Sequence, residues 1–252
     1  MSKLYGLIGE HLTHSYSKQI HEALGGYPYE LLPLAPAELS DFMKKKEFQA
    51  INVTIPYKRD VIPFLDAVDE KAAKIGAVNT IVNRNGILTG YNTDYDGFLY
   101  SLQKNNIETA EKTVLVLGNG GAAQAVFAVL KSGNAKKIAV IKQHPEEGCY
   151  SYEKAAELFS DADIIVNTSP VGMYPDTERS PMNLAPYSRL SAVIDLIYNP
   201  SETKLLAQAR SMGIPTVNGG RMLVAQAFFA AELFLDRKLS TDKIESVYTE
   251  IF

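Results

Sequence analysis

Thr113–Leu130 reads TVLVLGNGGAAQAVFAVL, and this stretch decides the fold. Thr113–Leu117 is apolar with no polar alternation, the pattern of a strand buried on both faces of a parallel sheet. It runs into Gly118-Asn119-Gly120-Gly121-Ala122-Ala123, a G-x-G-x-x-A turn, and then into an apolar helix to about Leu130. Glycines there let backbone approach a pyrophosphate, and the helix start supplies N–H groups and a positive dipole end. The plain alternative is a glycine-rich strand-to-helix turn that holds nothing. The clean strand before it and helix after it favour a dinucleotide.

Outward from this turn, strands are expected at Ile138–Ile141, Asp163–Asn167, Ala192–Leu196 and Pro215–Asn218. Helices are expected at Thr203–Met212, Arg221–Leu235 and Thr241–Phe252. The first half alternates in the same way. Leu4–Ile8, Tyr29–Leu32 and Ala50–Ile55 read as strands, and Ser17–Leu24, Pro36–Lys46, Val61–Leu65, Glu70–Ile75 and Tyr95–Gln103 as helical segments. Asn85-Gly86 between Thr80–Val82 and Ile87–Tyr91 signals a hairpin. Strands alternating with helices predict an α/β protein with parallel pairing.

The polar residues that could carry chemistry sit at strand ends and turns. In AINVTIPYK (Ala50–Lys58), Asn52 and Thr54 share one face, Pro56 ends the ladder, and Lys58 stands just past it. Read alone, the segment is more readily an edge strand with a polar outer face and a solvated lysine; stretches further along the chain change that balance. Ser17 is a plausible N-cap, which explains one serine of Ser15 and Ser17 but not the pair. Asn79 precedes the hairpin and Asp94 follows it, where Asp94 or Asp96 could simply cap a helix. Gln226 is a single polar residue in a nearly all-apolar helix and needs a partner.

Composition narrows the class. The chain has 252 residues, 46% hydrophobic and 21% charged, enough for one large or two modest domains. No run approaches about 18 apolar residues, so no membrane span is expected, and the N-terminus has no signal-peptide pattern. The single cysteine, Cys149, excludes an internal disulfide; a reducing cytoplasm is expected. Net charge is −4, and Lys44–Lys46 is the only basic run, which speaks against nucleic-acid binding. His14 and His21 lack a third ligand at useful spacing, so no metal is expected.

Four pieces stand in order: G-(x)4-H-S-x-S ending at Ser17, N-V-T-I-P-x-K (Asn52–Lys58), G-A-V-N-T (Gly76–Thr80) and G-x-N-T-D-x-x-G (Gly90–Gly97). With the glycine turn and Asn167–Met173 (NTSPVGM), they resemble the shikimate dehydrogenase family over nearly the whole chain. The resemblance implies an N-terminal α/β substrate domain of residues 1–102 plus 223–252. It also implies a Rossmann-like NADP domain of residues 103–222, the first crossing lying in Gln103–Lys112. It implies Lys58 and Asp94 as the catalytic pair. Ser15, Ser17, Asn52, Thr54, Asn79, Asp94, Tyr198 and Gln226 would bind substrate. Gly118, Asn119, Gly120, Gly121, Ala122, Lys142, Leu196 and Gly219 would bind the cofactor.

Two departures stand out, of which the first leaves both serines in place and the second carries the weight. His11 and Lys18 replace prolines frequent beside the two serines. Lys142-Gln143-His144 replaces the family's usual N-R-T after the second Rossmann strand, so the phosphate-clamping arginine is Gln143. Lys142 leans toward NADP, whereas Glu146 and Glu147 blur the sign, so NAD is not excluded.

The implied reaction is reversible NADPH-linked reduction of 3-dehydroshikimate, a step of aromatic amino acid (chorismate) biosynthesis. The near alternative is an NAD-using quinate/shikimate dehydrogenase; a catalytically silent nucleotide or metabolite sensor is the alternative from another class. A monomer or homodimer is expected.

Overall fold

The computed structural model describes residues 4–13 and 15–252. His14, the first residue of the H-S-x-S piece, lies outside the described residues. The chain forms two compact units. One comprises residues up to Phe98 together with Leu223–Phe252, the other Leu99–Met222.

The first unit begins with β1 (Tyr5–Gly9), buried throughout, and α1 (Ser17–Gly25). β2 (Glu30–Pro33), a 3-10 turn at Pro36–Glu38, α2 (Leu39–Lys45) and β3 (Ala50–Val53) follow. After a 3-10 turn at Ile62–Phe64 come the two-residue β4 (Ala67–Val68), α3 (Glu70–Ile75), β5 (Thr80–Arg84), β6 (Ile87–Tyr91) and α4 (Asp94–Lys104). The sheet order is β2-β1-β3-β5-β6-β4. β1 pairs parallel with β2 and β3, but β3–β5 and β5–β6 are antiparallel. The sheet is therefore mixed: β5 runs against both its neighbours, and the Asn85-Gly86 hairpin turns the chain back into β6, which pairs parallel with β4. Asn85 (φ 53°) and Gly86 (φ 87°) both adopt the left-handed backbone that such a tight turn requires.

β3 is central rather than an edge strand, which removes the bland reading of that segment. It stops at Val53, two residues short of the alternation, and Ile55 is 72% exposed. The cap readings also change. α1 is preceded by Tyr16 and has no side-chain cap, so Ser17 is its first helical residue. Asp94 is likewise the first residue of α4 rather than its cap. The segments expected as helices at Pro36–Lys46 and Val61–Leu65 are a 3-10 turn plus a shorter helix, and a 3-10 turn alone; each carries a proline early in the segment.

The second unit contains β7 (Thr113–Leu117), α5 (Gly121–Ser132), β8 (Lys137–Ile141), the short β9 (Cys149–Tyr150), α6 (Tyr152–Leu158), β10 (Ile164–Asn167), β11 (Ala192–Asp195), α7 (Lys204–Ser211) and β12 (Thr216–Val217). Its order is β12-β11-β10-β7-β8-β9, and every pair is parallel. β10 and β11 are buried at every residue, matching their continuous apolar sequences. The chain moves outward from β7 through β8 and β9, then returns to the other side of β7 at β10. The β7 turn therefore lies at the switch point, where open α/β sheets take ligands.

Helix α8 (Gly220–Leu235), from Leu223 onward, and α9 (Asp242–Ile251) complete the first unit. Phe234 stacks at 5.6 Å on Tyr5 and at 5.5 Å on His21, and Lys243 Nζ donates to the Leu24 carbonyl at 2.8 Å. Among the described residues no helix is long and apolar enough to cross a membrane.

Candidate active site

The loop after β3 is anchored by Tyr57, a fully buried ring whose hydroxyl donates to the Leu34 carbonyl. A buried anchor one residue away holds Lys58 where its chain position alone would leave it mobile. Lys58 Nζ donates to Asp94 Oδ2 at 2.6 Å, with side-chain exposures of 13% and 8%. Two charges so nearly out of water are tenable only when paired and further hydrogen-bonded. Asn79 provides that support: its Nδ2 donates to Asp94 Oδ1 at 2.9 Å.

Asn79 is itself fixed from several sides. Its Oδ1 accepts from the Thr93 N–H at 2.8 Å and from Thr80 Oγ1 at 3.0 Å. Its Nδ2 also reaches Gln226 Oε1 at 3.4 Å, and Gln226 Nε2 donates to the Leu223 carbonyl at 2.9 Å. Asn52 sits one layer deeper. Its Nδ2 donates to the Asn79 carbonyl at 3.2 Å and to Thr80 Oγ1 at 3.0 Å, while its Oδ1 accepts from the Tyr29 hydroxyl at 2.7 Å. A continuous hydrogen-bonded path thus runs from Tyr29 through Asn52, Asn79 and Asp94 to Lys58. Sequence reasoning does not single out Tyr29, Thr80 or Thr93. Thr93 falls inside the G-x-N-T-D piece, but nothing local marks Tyr29.

Behind Tyr29 lies His21, fully buried and stacked on that ring at 4.2 Å and 8°. Its Nδ1 meets the Tyr27 hydroxyl at 2.7 Å, and among the described residues its Nε2 has no partner within hydrogen-bond geometry. Burial lowers its pKa to about 3, so the ring is neutral at ordinary pH.

The serine pair is organised locally. Ser15 Oγ donates to Ser17 Oγ at 3.0 Å and accepts from the Ser17 N–H at 3.2 Å. Ser17 is buried, Ser15 and Thr54 half-buried. Lys58, Asp94, Asn52, Asn79 and Gln226 are therefore brought into one network. Ser15, Ser17 and Thr54 belong to the same unit, and Tyr198 is carried by the loop after β11 in the other.

In that second unit the glycine turn follows β7. Gly118 has φ +103°, which disfavours any side chain, and its N–H donates to the Ile141 carbonyl at 2.9 Å. Gly120 precedes α5 without a side-chain cap, and a Cβ built on it would meet nothing within 4 Å. Open space in front of uncapped helix N–H groups fits a pyrophosphate. Asn119 Oδ1 accepts from Gln124 Nε2 at 2.9 Å, bracing the turn. At Gly219 a Cβ would lie 1.9 Å from the Leu196 carbonyl oxygen, so these two expected cofactor residues are in backbone contact. Asp195, beneath them, accepts from Asn167 Nδ2, Thr203 Oγ1 and the Ile197 N–H, yet burial still raises its pKa to about 6. Lys142 Nζ is bound to Glu146 Oε1 at 2.7 Å.

A switch-point glycine turn and a buried lysine–aspartate pair define the class of nicotinamide-nucleotide oxidoreductases. A family model, the shikimate dehydrogenase substrate binding domain, matches residues 7–81. The shikimate dehydrogenase (NADP(+)) of Alkaliphilus oremlandii is 37% identical, covering 97% of this chain and 95% of the relative. A chorismate mutase/shikimate 5-dehydrogenase fusion protein from Clostridium acetobutylicum superposes with a TM-score of 0.93 at 37% identity, covering 100% of this chain and 97% of that one. Shikimate 5-dehydrogenase from Thermus thermophilus, in complex with NADP(H) and shikimate, gives 0.87 at 28% identity, with 100% of each chain covered. The chain belongs to the shikimate dehydrogenase family.

Proposed function

We propose that this chain catalyses the reversible NADPH-linked reduction of 3-dehydroshikimate to shikimate, a step of aromatic amino acid biosynthesis. The observation that carries the reading is the buried Lys58–Asp94 pair, held by Asn79. NADP, when bound, supplies or accepts the hydride. The chain handles the proton: the Lys58 ammonium gives one to the oxygen of the carbonyl as it becomes a hydroxyl, and the amine takes it back in reverse. Asp94 orients that ammonium and has lone pairs left for a substrate hydroxyl.

Ser15 and Ser17 are assigned to the substrate carboxylate. Asn52, Thr54, Asn79, Tyr198 and Gln226 are assigned to the ring and its hydroxyls. Asn52 acts through Asn79, since its own amide is taken up by Tyr29, the Asn79 carbonyl and Thr80. Gly118, Asn119, Gly120, Gly121 and Ala122 would cradle the pyrophosphate, with Leu196 and Gly219 as further contacts and Lys142 toward the 2′-phosphate. The functional division follows residues 1–102 with 223–252 for substrate and 103–222 for NADP. A cytoplasmic monomer or homodimer, binding neither nucleic acid nor membrane, completes the proposal.

One observation favours a second reading: Lys142 is paired with an acid, which weakens its claim on a phosphate and allows an NAD-using quinate/shikimate dehydrogenase. Absorbance at the nicotinamide band, with shikimate or quinate and NADP or NAD, tests both. Fast reduction of NADP by shikimate supports the first; NAD preference or equal use of quinate moves the chain to the second. Cofactor binding without turnover in any pairing would make it a sensor.

A further inference from the structure

Lys142 directly follows β8, and Glu146 comes one helical turn's spacing later. Glu146 Oε1 lies 2.7 Å from Lys142 Nζ. Lys142 first, and the Asn119 side chain after it, hold the Glu146 carboxylate ionised, while Asn119 Oδ1 itself accepts from Gln124. The Lys142–Glu146 pair thus stands at the end of the second Rossmann strand, whose last residue, Ile141, accepts from the Gly118 N–H of the glycine turn at 2.9 Å. In such units this corner faces the adenosine ribose. An acid there accepts from a 2′-hydroxyl, whereas a cation there meets a 2′-phosphate. This chain has both, and they hold each other.

We propose that Glu146 is a resident anion that the 2′-phosphate of NADP must displace from Lys142, and that it thereby sets the NADP/NAD preference. The inference rests on the nicotinamide-linked activity proposed above. Displacement is feasible because the pair is open to water, with 59% of the Glu146 side chain exposed, and such pairs are weak. Once displaced, the carboxylate remains beside a phosphate of like sign and opposes it. NAD asks for no displacement, since its 2′-hydroxyl can donate to the carboxylate in place.

The test is direct binding by calorimetry, using NADP, NAD, adenosine 2′,5′-bisphosphate and 5′-AMP, on the full chain and three variants. Glu146→Gln should tighten NADP and the bisphosphate by about five-fold while leaving NAD and 5′-AMP unchanged or weaker. Lys142→Met should weaken only the two 2′-phosphorylated ligands. Glu147→Gln removes the same charge one residue on and should change the NADP/NAD ratio less than Glu146→Gln. The inference is overturned if Glu146→Gln leaves that ratio unchanged or lowers it, or if Glu147→Gln matches it. Those results would leave the proposed activity standing. Failure of both cofactors to bind the unaltered chain would overturn the two together.

Discussion

Lys58 Nζ donates to Asp94 Oδ2 at 2.6 Å, and Asp94 turns its other oxygen to Asn79. The lysine is thus the only member of this trio with protons left to exchange with a ligand, while the aspartate and the amide set where it points. Lys58→Ala should lower kcat for shikimate oxidation by roughly 10²–10⁴-fold, with circular dichroism and the Kd for NADP unchanged. Near-normal turnover would remove Lys58 from the chemistry.

Tyr29 is 23 positions from Asn52 in the chain but closes its amide with a 2.7 Å bond. Tyr29→Phe leaves Asn52 Oδ1 in the interior without its donor, which should cost about 1–3 kcal/mol in urea unfolding. Because Asn52 holds the Asn79 carbonyl and Thr80, the slack should reach the Lys58–Asp94 pair and lower kcat roughly three- to ten-fold, with NADP binding intact. A variant that loses stability but keeps full kcat would confine Tyr29 to the core.

His21 couples stability to acidity. Its pKa is about 3 when folded against an ordinary 6.5, so the unfolded chain takes up a proton that the folded one refuses. This contribution is fully present above pH 6.5 and is lost as pH falls toward 3, at up to about 1.4 kcal/mol per unit. Urea midpoints from pH 7 to 4 should show that slope in the unaltered chain and a shallower one in His21→Phe. Identical slopes would mean the ring is not the acid-sensitive group.

The glycines proposed to meet the cofactor separate packing from binding. Gly219→Ala sets a methyl 1.9 Å from the Leu196 carbonyl oxygen and should cost at least about 2 kcal/mol. Gly120→Ala meets nothing within 4 Å and should leave the melting temperature unchanged. It should still weaken NADP binding about ten-fold or more by filling the space before α5. Thermal melts and cofactor titrations on the two variants distinguish them; unchanged NADP affinity in Gly120→Ala would place the pyrophosphate elsewhere.

Much of this fold is legible in the chain, for physical reasons. β7, β10 and β11 are unbroken apolar runs, and Asn85-Gly86 admits few conformations other than a tight hairpin turn. The lysine–aspartate pair is legible as two polar residues at strand ends and as a family resemblance. Their contact is not, since Lys58 and Asp94 are 36 positions apart. Short elements escape: β4 and β9, at two residues each, are too brief for a period to show. Ser17 reads as a cap because serine caps often; its N–H bonds to Ser15 instead, and Ser17 already lies within the helix. Lys142 and Glu146 are visible as opposite charges, but their bond to each other depends on how the chain turns after β8.

The first unit closes its aromatic core with Phe234 and its site with Gln226, both from the segment that follows the second unit in sequence. A chain leaving the ribosome therefore completes the nucleotide-binding half first, while Asn79 and the ring of His21 wait for partners not yet synthesised. The early half must either stay loosely formed or be shielded until α8 emerges. A message broken near Met222 would lack Phe234 and Gln226 and leave the aromatic core and the Asn79 network of the first unit incomplete.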